Sequence, residues 1–264
     1  MADSALLRLE EMLPEVTYFV EKNVFTEKEM KTIMNQRRLL ELSISSRAVS
    51  LKDYMSYINH EIKVECERRE KFEEMNIKKT NSRDFTIAQR IHSLFNRCLR
   101  KYSSDLKVWN QYIEFCTTSG SSSALSRVIM QAIKRHPRVA TFRVIAADRE
   151  LQQGGLVSAR KLLMRAVRIK TDDRLLIWSQ LFKLECAALH KQITSAATKE
   201  GSEASCQAAT VVNRHAVSDL SEVGKVDMFK RFAAEAFDAL ETSILGYKAP
   251  ADLEQLRDTI RHSL

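Results

Sequence analysis

The sequence predicts an all-α fold: helical hairpins stacked as a repeat solenoid, with a helical extension at the N-terminus. Three observations carry this prediction. Only 6 Gly and 3 Pro are spread over 264 residues, too few turn-formers for a sheet-rich chain of this size. Stretches of helical apolar spacing alternate with breaks of a few residues, so successive helices must pack as antiparallel neighbours. Finally, aromatic-led helices return roughly every 34 residues, a period typical of helix-hairpin arrays.

Taken in order, the opening MADSALLRLEEML is acidic and amphipathic, and lacks the basic start and apolar core of a secretory leader. In FTEKEM, Thr26 is placed to cap a helix, Glu29 to answer it, and Phe25 and Met30 to form the hydrophobic staple. VSLKDY repeats that grammar with Ser50, Asp53, Val49 and Tyr54. This second start opens a long charged helix over about 51–79, with Tyr54, Tyr57, Ile58, Ile62 and Cys66 along one face. TNSRD near 80–84 begins a helix that runs to about Lys101. YSSD precedes the helix VWNQYIEFC, and TSGSSS ends it. The following helix reaches RHP, where Pro137 is placed to open the next one. QQGG at 152–155 and KTDD at 170–173 separate the later helices.

The repeat is read from two helix types. Trp109, Phe142 and Trp178 stand near helix starts, 33 and 36 residues apart, each followed at +3 by Tyr112, Ile145 and Leu181. Between them HSLFNRC, RVIMQAI and RKLLMRA align at His92, Arg127 and Arg160, which puts Phe95, Met130 and Leu163 in register. The expected packing residues are therefore Tyr54, Tyr57, Phe95, Trp109, Tyr112, Phe115, Met130, Phe142, Leu163, Trp178 and Leu181. Trp109, Tyr112 and Phe115 read as a packing stripe rather than a base-stacking platform. The stripe's one charged residue is Glu114, and stacking on RNA calls for flanking Arg or Lys.

Four regions result: an N-terminal helical region over 1–48, helical repeats over 49–189, a flexible linker over 190–225 rich in Ser, Ala and Thr, and C-terminal helices over 226–264. In the last, Met228, Phe232, Ala236, Ala239 and Leu240 are expected on one side, and Gly246 and Pro250 break the helix.

Charge narrows the function. The chain carries a formal net charge of +8, and the window 127–174 alone holds twelve Lys/Arg against four Asp/Glu. Such an excess favours an anionic partner. Lys134, Arg135 and Arg138 surround Pro137 at a turn, Arg143 follows, and Lys161, Arg165 and Arg168 project from one helix face. These seven are the candidate contacts for RNA phosphates or an acidic partner, against the alternative of a plain solvated face. No run approaches the ~18 apolar residues of a membrane span. Five Cys without a CxxC read as reduced, partly buried thiols of an intracellular protein.

Chemistry is not in evidence. HEIKV at His60 starts like a zinc-binding HExxH, but Val64 occupies the second His position. Gly-rich phosphate loops, GxGxxG and GxSxG are all missing. The sequence thus points to a protein that is not an enzyme, with no metal, cofactor or small-molecule substrate.

Trp109-x-x-Tyr112-x-x-Phe115, ARKLLMRA at 159–166, and Trp178 with Leu184 and Glu185 at +6 and +7 resemble half-a-TPR (HAT) repeats, with a weaker copy at Tyr54, Tyr57 and Glu61. LPEVTYFVEKNVFTEKEMKTIMNQRRLLE followed by SLKDYMSYINHEIKVECERRE is similar to the opening of the U-three small nucleolar RNA-associated protein 6 family, the HAT-repeat subunit of the UTP-B subcomplex. The resemblance covers roughly 5–190. It implies a non-enzymatic scaffold of the small-subunit processome, nucleolar, supporting pre-rRNA processing and 40S subunit biogenesis beside WD40-type UTP-B subunits and the pre-ribosomal particle. Phe142 stands in place of a Trp, Asp148-Arg149 stands where an aromatic–acid pair is usual, and the family's further repeats are not found, which implies either a shortened, divergent member or one whose missing half another chain supplies. The alternatives are direct RNA binding through 127–174, or a HAT scaffold of splicing or cleavage–polyadenylation.

Overall fold

The computed structural model describes residues 2–76, 81–196, 205–244, 250 and 252–261. Among them the chain is all-α, with thirteen α-helices, one 3-10 turn and no strand. It divides into two compact units, Met1–Leu125 and Ser126–Leu264.

The first unit holds α1 (Ala2–Glu10), α2 (Leu13–Glu21), α3 (Glu27–Ile44), α4 (Leu51–Glu74), a 3-10 turn (Ser82–Phe85), α5 (Thr86–Lys101) and α6 (Leu106–Thr118). Both expected capping boxes form. The Thr26 backbone N–H donates to Glu29 at 2.7 Å and the Glu29 N–H donates to the Thr26 hydroxyl at 3.3 Å. Ser50 and Asp53 repeat the exchange at 2.7 and 3.4 Å. Each box satisfies two backbone donors that an α-helix leaves open at its start, and Phe25 and Met30 are buried behind the first. A third box at Asn81 and Asp84 starts the 3-10 turn. α3 packs on α1, α2 and α4, while α5 lies between α4 and α6. α4 ends at Glu74, and the expected extension to 79 runs into 77–80, outside the described residues. Its buried face drifts from Tyr54, Tyr57 and Ile58 to Val64, Arg68 and Phe72, so Cys66 is exposed rather than on the core stripe.

The division between the units falls within α7 (Ser122–Arg135). The second unit continues with α8 (Ala140–Gln152), α9 (Leu156–Ile169), α10 (Arg174–Ala196), α11 (Gln207–Ser221), α12 (Val226–Ser243) and α13 (Leu253–Arg261). α8 and α9 form a tight hairpin whose turn depends on glycine. Gly154 sits at φ +81°, and a Cβ on Gly155 would come within 3.2 Å of the Glu150 carbonyl. Pro137 does not open α8, which starts three residues later at Ala140 and borrows its cap: Asp172, from the loop before α10, accepts from the Ala140 N–H at 2.8 Å.

α10 is the centre of this unit, packed on α8, α9, α11 and α12. The flexible linker expected over 190–225 is thereby corrected. α10 continues to Ala196 and α11 occupies Gln207–Ser221, with Ala209, Val212, Ala216 and Leu220 buried; residues 197–204 lie outside the described residues. Small residues on one helical stripe allow close helix approach, and a composition poor in large apolar residues hid that stripe. α12 buries Phe229, Ala233 and Phe237, one position away from the expected Met228, Phe232 and Ala236, together with the expected Leu240, and leaves Met228 exposed. The expected break at Gly246 falls outside the described residues.

Candidate functional site

Burial resolves the repeat register. The second helices share an apolar triplet at 0, +4 and +7: Ile91, Phe95 and Cys98 on α5, Leu125, Ile129 and Ala132 on α7, and Ala159, Leu163 and Ala166 on α9. Phe95, Ile129 and Leu163 are 34 residues apart at each step. Met130 was expected inside, but Ile129 takes that place and Met130 is 62% exposed.

The first helices behave alike. Val108, Trp109, Tyr112 and Ile113 on α6 correspond to Phe142, Arg143, Ala146 and Ala147 on α8, and to Ile177, Trp178, Leu181 and Phe182 on α10; all twelve are buried. The residue equivalent to the tryptophans is thus Arg143, not Phe142. The hydrogen bonding agrees. Trp109 Nε1–H donates to the Ser103 carbonyl, six residues earlier, at 2.9 Å. Arg143 Nε–H donates to the Pro137 carbonyl, also six residues earlier, at 3.3 Å. An arginine stem covers apolar surface much as an indole does. Arg143 is only 4% exposed, so it is withdrawn from the candidate surface contacts. Burial, and then repulsion from Arg165, holds its guanidinium below the usual range.

The other packing candidates, Tyr54, Tyr57, Phe95, Trp109, Tyr112, Phe115, Phe142, Leu163, Trp178 and Leu181, are all buried. Phe95 and Tyr112 stack with centroids 4.5 Å apart and planes 11° apart, in the favourable range for rings. The rings of the VWNQYIEFC stretch face protein.

Sequence reasoning missed a buried ionic core in the first unit. Arg37 on α3 reaches Glu61 on α4 through two hydrogen bonds of 2.7 and 2.9 Å, and Glu15 on α2 at 2.9 Å. Arg90 on α5 closes the ring, donating to Glu15 at 2.5 Å and to Glu61 at 3.2 Å. One turn along α3, Glu41 accepts from Arg8 at 2.6 Å and from Arg97 at 2.9 Å. Five helices are thus tied by two clusters of opposite charges, buried at the carboxylates. Burial by itself would raise the Glu15 carboxyl, but Arg90 and Arg37 outweigh it and hold the group below its usual range. The second unit repeats the device once: Glu185, at +7 from Trp178 as Glu61 is from Tyr54, accepts two bonds of 2.6 Å from Arg160 on the preceding helix. The signal available was the +7 glutamate, which needed a buried cation to be legible.

The remaining basic candidates behave differently. Lys134, Arg135, Arg138, Lys161, Arg165 and Arg168 are exposed. Lys134, Arg138, Lys161, Arg165 and Arg168 have no carboxylate partner among the described residues, whereas Arg135 has a further interaction of its own. On α9, Val157, Lys161, Met164 and Arg168 lie at 0, +4, +7 and +11, and on α7 Arg127, Met130 and Lys134 lie at 0, +3 and +7. Among the described residues no group of three or more His, Cys, Asp or Glu could hold a metal ion, and no helix is long and apolar enough to cross a membrane.

These features define a helical-hairpin repeat protein with an ion-clamped N-terminal block and basic helix faces. A protein-family model described as U3 small nucleolar RNA-associated protein 6 matches residues 9–90, the stretch that contains Glu15, Arg37, Glu61 and Arg90. The chain is 31% identical over 193 residues to the U3 small nucleolar RNA-associated protein 6 of Schizosaccharomyces pombe, covering 72% of this chain and 39% of that protein. It is 26% identical over 194 residues to the human homologue of that name, covering 73% and 30%, and 26% identical over 187 residues to the mouse homologue, covering 70% and 31%. Over about seven tenths of its length the chain is thus similar to U3 small nucleolar RNA-associated protein 6, and it spans well under half the length of these relatives.

Proposed function

We propose that the chain is a non-enzymatic scaffold of the U3 small nucleolar RNA-associated assembly that processes pre-rRNA. In the finer reading it is a HAT-repeat subunit of UTP-B in the small-subunit processome, located in the nucleolus, beside WD40-type subunits. The observation that carries this reading is the match over 9–90. That stretch is an interlocked block in which Glu15, Arg37, Glu61 and Arg90 pair with one another inside the packing, which suits a rigid platform. A solenoid of such hairpins holds partner segments by its surface.

The test is to express the tagged chain in a eukaryotic cell, purify it and identify what comes with it. Recovery of U3 small nucleolar RNA with WD40-type proteins, and a nucleolar signal on imaging, are the expected results. Recovery of splicing or cleavage–polyadenylation proteins instead would overturn the assignment.

Direct RNA binding is the second reading, favoured by the exposed cations of α7 and α9 that lack carboxylate partners. Phosphate contacts of this kind position a protein without reading sequence, and their affinity falls steeply with salt. Charge reversal at Lys134 and Arg165 would then weaken binding of pure protein to RNA in a gel-shift series and flatten its salt slope. Equal binding by the variant and the unaltered chain would remove this reading.

A further inference from the structure

We propose that the exposed basic–methionine faces of α7 and α9 dock an acidic amphipathic helix of a protein partner. This inference rests on the scaffold reading above and names the chemistry of what the scaffold holds. The repeat register carries the argument. Arg127, Met130 and Lys134 on α7 recur 34 residues later as Lys161, Met164 and Arg168 on α9, the same step that relates Ile129 to Leu163. Within each helix the pattern is cation, methionine, cation at 0, +3 and +7, along one face. The apolar centre stands in water: Met130 is 62%, Val157 60% and Met164 40% exposed.

Charge complementarity selects the occupant. None of Arg127, Lys134, Lys161, Arg165 and Arg168 has a carboxylate partner among the described residues. Arg165 also stands close enough to the buried Arg143 for the two guanidiniums to repel, a cost that an incoming carboxylate relieves. A phosphate backbone would use these cations but gains nothing from exposed methionines between them. Base stacking needs aromatic platforms, and the aromatic side chain carried by α7–α9 is Phe142, which is buried. Methionine flanked by cations suits a helix that offers Leu or Met at helical spacing with Glu or Asp beside it. The flexible thioether moulds to such side chains, and the charges set orientation and encounter rate.

The experiment measures binding of the full chain by fluorescence anisotropy. The probe is a labelled synthetic peptide with Leu at helical spacing and Glu between. Its comparators are a scrambled peptide of the same composition and single-stranded oligouridine. Binding of the amphipathic peptide, at least about tenfold tighter than the scrambled one, is expected. Met130→Ser with Met164→Ser should weaken it about tenfold, as should Lys161→Glu with Arg168→Glu; all four positions are exposed, and circular dichroism checks that each variant folds. No peptide binding, equal binding of the scrambled peptide, or insensitivity to the methionine pair would overturn the proposal. Tighter binding of oligouridine that ignores the methionines would replace it with RNA. Failure here with U3 small nucleolar RNA still co-purifying leaves the scaffold assignment standing, whereas loss of co-purification strikes that assignment and not the peptide result.

Discussion

At the scale of single residues, two buried arginines do different work. Arg37 is fully buried between Glu15 and Glu61. Removing it leaves two carboxylates in the interior with one arginine, Arg90, to share. Arg37→Ala should therefore destabilise the chain by about 3–5 kcal/mol, the usual cost of stranding a buried charge. Urea denaturation of the two proteins side by side checks it, and a loss below about 1 kcal/mol would show that the cluster is not under tension. The cluster also predicts acid lability. The Glu15 carboxyl sits below the ordinary glutamate value of 4.5, since Arg90 and Arg37 overcome the effect of burial. A depressed carboxylate contributes its stability above the unfolded value, and that contribution disappears as pH falls through the folded value. Stability should hold at neutral pH and decline progressively below about 4.5. Arg143 is the other case. If it fills a tryptophan position, Arg143→Trp should fold with stability within about 1 kcal/mol of the parent, while Arg143→Ala should lose about 1–3 kcal/mol. A Trp variant worse than the Ala variant would refute the equivalence.

At the scale of elements, legibility followed the kind of signal each helix carries. The starts of α3 and α4 were readable because a capping box is a local code, and both boxes form. α11 was not, because its buried stripe is built of Ala and Val that resemble linker composition until a partner helix is supplied. The α7 register slipped by one residue because Ile129 and Met130 are both apolar, and periodicity alone did not choose between them. Arg143 was invisible for a related reason, since an arginine at an apolar position reads as surface. Where aromatics marked the period, the element reading survives as a packing statement. Trp109 is buried and donates to the Ser103 carbonyl. Trp109→Ala should cost about 3–5 kcal/mol, lowering the denaturation midpoint rather than abolishing a single contact. A Trp109→Ala protein of unchanged stability that had lost partner binding would reverse this assignment.

At the scale of the whole molecule, the chain carries its own reporters of opening. Cys66 is exposed on α4, whereas Cys98 is buried in the first unit and Cys186 and Cys206 are buried in the second. Burial pushes the Cys98 thiol up to about 11, with Asp105 adding to it. Burial likewise pushes Cys186 up to about 12, helped by Glu185, and Cys206 up to about 12, helped by Asp252. The thiolate is the reactive form, so these three are protected twice, by exclusion of reagent and by protonation. A thiol reagent added to the native protein at mildly alkaline pH should therefore modify Cys66 at once and the buried thiols at the rate at which their surroundings open. Mass spectrometry of the labelled peptides gives each rate separately. Arg37→Ala, which strands the carboxylates that hold α2 to α5 together, should accelerate labelling of Cys98 on α5. Labelling of Cys98 as fast as Cys66 in the unaltered protein would mean that the ionic core does not close the first unit, and the scaffold would lose the rigidity on which its proposed role depends.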